Sequence, residues 1–200
     1  MSVRRLTTRS RWLAVLALAL IGAAQAAGRG AAREHLDETS GITVLTDAAP
    51  IVFARTESRY SRSQRDYIYL GPVETNRQGT RDYYLWVGVA TTLDRGYLAP
   101  ATGTPVSLFV QVRGEVMELK LEPWSQREPS LESLRLYKTP VQLKSRLAAR
   151  VTLDQLTLLA HEPMQSLRVA DEKGDTKLYF RWDDLTAWPG FLAAAGGGGR

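Results

Sequence analysis

Asp66-Tyr67-Ile68-Tyr69-Leu70-Gly71-Pro72-Val73 and Asp82-Tyr83-Tyr84-Leu85-Trp86-Val87-Gly88-Val89-Ala90-Thr91-Thr92 stand on either side of residues 74–81, ETNRQGTR. Both arms are rich in β-branched and aromatic residues, and Asn76 and Gly79 are turn formers. The stretch therefore reads as an antiparallel hairpin. Arg65-Asp66-Tyr67 recurs loosely as Arg81-Asp82-Tyr83. One such echo marks two similar arms of a hairpin, not a repeat architecture.

The same grammar extends outward. Ile42–Leu45 and Ile51–Ala54 are short β-rich runs split by Asp47-Ala48-Ala49-Pro50. Val106–Val112 and Glu115–Leu121 flank Arg113-Gly114, a tight hairpin turn. Met117, Leu119 and Leu121 share one face of the second arm, and Glu118, Lys120 and Glu122 share the other with Val116, as in a strand with one wet face. Leu147, Ala149 and Val151 alternate with Arg146, Ala148 and Arg150. Leu167 and Val169 are expected to pair with Leu178, Phe180 and Trp182 across the turn Glu172–Asp175. Prolines 72, 100, 105, 123 and 140 are placed at or beside strand ends, where a missing donor does least harm.

Two helices are expected. Thr152-Leu153-Asp154-Gln155 matches a capping box, Leu153, Leu156, Leu159 and Ala160 form one apolar stripe, and Pro163 follows the end. A second, weak helix is expected from Asp183 or Asp184, with Leu185, Trp188 and Leu192 about one turn apart. The fold class read from these patterns is mainly β: a single β-sandwich or open-barrel domain of antiparallel strands with two short helices, after an N-terminal signal peptide.

That signal is read over residues 1–26. Four arginines precede Trp12–Ala24, a 13-residue apolar run, and Ala24-Gln25-Ala26 supplies the small residues a signal peptidase reads. A bilayer-spanning helix needs about 20 apolar residues, so no transmembrane span is expected in the mature chain. Residues 27–40 read as a flexible lead-in, 41–192 as a single β-rich domain, and 193–200 as a disordered Gly-rich tail. The form of the signal is bacterial and places the mature chain in the periplasm or beyond it.

The full chain carries 26 basic and 21 acidic residues. Four of the bases lie in the signal, which leaves the mature part near neutrality and argues against nucleic acid as a partner. The chain has no cysteine. That excludes disulfides, thiol nucleophiles and Cys-ligated zinc, and leaves packing to hold an exported protein together.

Candidate chemistry is sparse. His35 falls in the lead-in and His161 in the last turn of a helix, so neither a His-based zinc site nor a Ser-His-Asp triad has its parts. No phosphate loop or dinucleotide fingerprint is present, Asp171–Asp175 reads as a hairpin turn and not a calcium loop, and no cofactor is expected. Asp66, Glu74, Asp82 and Asp94 lie in or beside the aromatic hairpin and are the carboxylates a glycan-cleaving pair would draw on. Arginines before Asp66 and Asp82 favour surface ion pairs instead. No catalytic or metal-ligating residue is assigned. The binding candidates are Tyr67, Tyr69, Tyr84 and Trp86, whose rings suit stacking on sugars or gripping a partner. The competing reading is core on one face and cross-strand pairing on the other.

The functional expectation is a non-catalytic periplasmic binding or interaction domain whose partner is an envelope protein or a glycan. The alternatives are a carbohydrate- or peptidoglycan-active hydrolase with paired carboxylates, and a small-ligand carrier with an apolar internal cavity.

Overall fold

The computed structural model describes residues 31–56, 65–92 and 105–197. The proposed signal, the start of the lead-in and Asp94 lie outside the described residues. Eleven strands are seen: β1 Arg33–Asp37, β2 Ile42–Thr46, β3 Ile51–Thr56, β4 Arg65–Arg77, β5 Thr80–Thr91, β6 Pro105–Val112, β7 Glu115–Lys120, β8 Glu122–Pro123, β9 Leu143–Val151, β10 Ser166–Asp171 and β11 Thr176–Arg181. Three short helices join them: α1 Trp124–Arg127, α2 Leu153–His161 and α3 Pro189–Gly197.

All pairs are antiparallel, in the order β7-β6-β10-β11-β3-β4-β5-β9-β8, with β2 also on β4 and β1 on β2. The two ends of this order, β7 and β8, are consecutive in the chain. The sheet therefore curls into a nearly closed barrel, which removes most of the edge a flat sheet would expose. Alternation along each strand sends one set of side chains inward. Phe53, Ile68, Leu70, Leu85, Val87, Leu108, Val110, Leu147, Leu167 and Tyr179 fill the interior, with Leu156 and Leu159 of α2 and Trp188 and Phe191 beside α3.

Turn chemistry sets the hairpins. Gln78-Gly79 and Arg113-Gly114 both take positive φ at each residue, the pattern of a two-residue turn matched to strand twist. The β4–β5 hairpin is longer than the sequence suggests, since pairing continues to Arg77↔Thr80. Pro72 sits inside β4 and not at its end. It falls where β4 changes partner, from β3 up to Leu70 to β2 from Val73, so the missing N–H costs little pairing.

Other expectations shift. The capping box at Thr152 and Gln155 forms in both directions, at 3.1 and 2.9 Å. The second helix starts at Pro189 and not near Asp183, because Asp183 is engaged elsewhere. Its carboxylate accepts from the Val52 N–H at 2.5 Å and from Arg181 Nε at 2.7 Å. α3 runs to Gly197 and buries Phe191 and Ala195. Asp47 accepts from the Phe191 N–H at 2.8 Å and caps α3 from the far end of the chain. β1 forms within the proposed lead-in, although most of it is exposed.

The β10–β11 hairpin is built on Asp171, which accepts from the N–H groups of Lys173 and Asp175 at 3.0 Å each. Its register differs from expectation. Leu167 pairs with Tyr179, and Val169 with Lys177. Leu178, Phe180 and Trp182 therefore point outward and are exposed. A one-residue offset moves every side chain to the other face, and Tyr179 offers the interior a competing aromatic.

A second apolar cluster lies on the outer face of β4, β5 and β9. It contains Tyr69, Val73, Tyr84, Trp86 and Ala148, roofed by Trp124, Leu131, Leu136 and Tyr137. Two glycines floor it. A Cβ at Gly71 would stand 2.3 Å from Tyr137 Cζ, and one at Gly88 would stand 2.6 Å from Trp86 Cη2. Gly71→Ala and Gly88→Ala are each expected to lower stability by about 1–3 kcal/mol, the usual cost of overpacking. The check is a urea midpoint that falls with unchanged m-value; unchanged midpoints would show that the rings do not occupy these seats.

Candidate functional site

The aromatic hairpin brings its four candidate residues to one face. Tyr67 and Tyr69 of β4 and Tyr84 and Trp86 of β5 are staggered, with Tyr69 opposite Gly88 and Trp86 opposite Gly71. Tyr67 is half-buried and stacks on Tyr69 at a centroid separation of 6.2 Å. Tyr69, Tyr84 and Trp86 are buried. This face is mostly covered, by a segment over residues 124–142 that the sequence pattern left without a role.

Three contacts fasten that segment. Trp124 meets Tyr84 edge-on at 5.7 Å and donates its indole N–H to the Leu131 carbonyl at 3.2 Å. Tyr137 packs on Trp86 at 5.2 Å and donates its hydroxyl to the Pro72 carbonyl at 2.6 Å. Glu128, fully buried, accepts from Tyr84 at 2.8 Å, Arg77 at 2.5 Å and Thr75 at 3.5 Å. A buried carboxylate is tolerated when charge and donors meet it, and here they come from β4 and β5. Burial, and then the Glu128 hydrogen bond, push the Tyr84 phenol up to about 12. Burial likewise pushes the Tyr137 and Tyr69 phenols up.

Beyond Tyr137 the roof leaves a cleft of about 530 Å³ against the start of β9. Trp86, Leu136, Tyr137 and Leu143 supply apolar wall, and Arg135, Thr139, Gln142 and Arg146 supply polar groups. A hollow of about 340 Å³ adjoins it and shares Leu143 and Arg146, with Lys144 and Glu132 on its wall. Strand pairing places Arg146 opposite Gly88, the residue over which the Trp86 ring lies. The Trp86 indole N–H is buried and makes no hydrogen bond to the protein. An unmet buried donor costs about 1–3 kcal/mol, so a partner for it would be favourable.

The hairpin carboxylates are not brought together. Asp66 pairs with Arg55 at 2.9 Å, Glu74 with Arg81 at 3.4 Å, and Asp82 with Arg150. Asp66 and Glu74 are eight residues apart on β4, roughly 26 Å at strand rise. Glu74 lies opposite Tyr83, whereas Asp82, two residues before Tyr84, points to the roofed face. His161 is exposed in the last turn of α2, and its neighbour Glu162 pairs with Arg113 at 3.2 Å. Among the described residues no group of three or more His, Cys, Asp or Glu could hold a metal ion.

Sequence reasoning missed Glu128, Arg135, Thr139, Gln142 and Arg146 as members of a site. The available signal was Trp124, Leu131, Leu136, Tyr137 and Val141: large apolar residues in a stretch with neither helical nor strand period. No protein-family model, curated protein or solved structure matches this chain.

The raised Tyr84 phenol gives a pH-dependent test. The folded protein holds this proton more tightly than the unfolded chain does. Its contribution to stability is therefore complete below pH 10 and is lost as pH rises from about 10 to about 12. Tyr84→Phe is expected to flatten part of that alkaline fall in the urea midpoint. Parallel profiles for the two proteins would show that Tyr84 does not titrate against Glu128.

Proposed function

We propose that this chain is a non-catalytic binding domain that works in the periplasm or beyond, and that its site is the cleft between the 124–142 segment and β9. One observation carries the reading. The cleft combines an apolar wall with Arg135 and Arg146, and neither arginine has an ion-pair partner among the described residues. Binding sites are typically concave and largely apolar, with a few placed polar groups. The fully described carboxylates of the hairpin are each tied to an arginine, and Glu128 is saturated by three donors, which supports binding over hydrolysis. The barrel interior is lined by packed side chains, which gives a carrier less to rest on. No described helix is long and apolar enough to cross a membrane. The partner is an envelope protein or glycan, in keeping with the export signal read from residues 1–26.

A photoreactive amino acid at Gln142, on the cleft rim, is expected to give a discrete adduct in cells. The same probe at Glu172, in the β10–β11 turn, should give none. The purified protein is expected to release no soluble sugar from cell-wall glycan. Absence of a Gln142-specific adduct would overturn the reading, as would glycan cleavage that Glu74→Gln or Asp82→Asn abolishes.

A further inference from the structure

Several arginines of this protein are held in ion pairs. Arg55, Arg77, Arg81, Arg127, Arg150 and Arg181 each lie within 3.4 Å of a carboxylate. Arg135 and Arg146, in the cleft, have no such partner among the described residues. Arg135 is exposed and Arg146 half-buried, and the cleft wall carries no acid. Glu132, across the adjoining hollow from Lys144 and Arg146, makes no ion pair with either. Two unpaired guanidiniums thus line one cleft beside an apolar wall. A guanidinium offers a planar fork of N–H donors that matches the two oxygens of a carboxylate. Trp86, buried to 1 % exposure, lines the same cleft, so its indole signal reports on what enters there.

We propose that the cleft is selective for a carboxylate-bearing ligand. The acid is held between Arg135 and Arg146, and the apolar body lies on Leu136 and Leu143. This rests on the binding reading above and deepens it. Two sources supply that chemistry, an acidic sugar and the free C-terminus of a peptide. Arg146 is the stronger anchor, because strand pairing holds it beside Gly88 and its half-burial weakens screening by water.

The test follows the Trp86 indole N–H cross-peak by NMR in the full mature protein, the peak being assigned by its loss in Trp86→Phe. Glucuronic acid represents the sugar acid and N-acetylalanine the peptide carboxylate; glucose and N-acetylalanine amide are their neutral counterparts, and inorganic phosphate is the rival anion. At least one carboxylate is expected to move the peak saturably, with binding at least ~10-fold tighter than its neutral counterpart, in line with a charge-assisted hydrogen bond. Arg146→Gln should weaken that binding by about tenfold while the remaining cross-peaks keep their positions. The carboxylate that binds identifies the source. Equal binding of the neutral partners, tighter binding of phosphate than of either carboxylate, or no saturable shift at Trp86 overturns the proposal. A Gln142 adduct would still form if the cleft bound a neutral partner, so the two readings fail separately.

Discussion

The outer face of this barrel depends on two aromatic rings seated where side chains are missing. Trp86 lies over Gly88, and Tyr137 lies over Gly71. Across the sheet the row Gly71–Trp86–Ala148 sets one large ring between two small neighbours. With no Cβ beneath them, the rings lie close to the backbone and bury more area than a pleated surface otherwise permits. Tyr137 then reaches the Pro72 carbonyl, and the 124–142 segment has a fixed point on the sheet. Without that seat a long aperiodic connection would have little to hold it.

The roof is also tied electrostatically. Glu128 leaves water only because β4 and β5 supply Tyr84, Thr75 and Arg77. A buried carboxylate with three donors in fixed directions tolerates few alternative placements, so it adds orientation to the non-directional packing of Trp124. The cleft is a by-product of this arrangement. Where the roof passes from Tyr137 to Leu143 it no longer touches the sheet everywhere, and the first half of β9 shows Arg146 to the gap. The same packing that stabilises the fold thus leaves two arginines facing a concave space.

The interior and the outer face play different parts. Inside, Phe53, Leu70, Leu85, Leu147 and Tyr179 close the barrel, and Asp47 binds α3 to the chain's early strands through the Phe191 N–H. Outside, β11 and the residue after it carry Leu178, Phe180 and Trp182 into solvent, with the Arg65 guanidinium 4.3 Å from the centre of the Trp182 ring. This stripe shows how far apolar pattern alone misleads. Leu178 and Phe180 share the outer face of β11, and pairing of Leu167 with Tyr179 turns the face of Tyr179 inward instead.

By itself the sequence determined the β-rich class, the hairpin across residues 74–81, the tight one at Arg113-Gly114, and the capped helix from Leu153. Each rests on turn residues, alternation or a cap within a few positions, and such signals act over short range. Tertiary structure alone decided that the sheet nearly closes on itself, which face of β11 is inside, and that Tyr69, Tyr84 and Trp86 are covered. It alone brought Arg135 and Arg146 to one cleft and set Asp47 against Phe191, 144 residues away. Those outcomes depend on contacts between strands far apart in the chain. A period of two says that one face is buried and is silent on what will bury it.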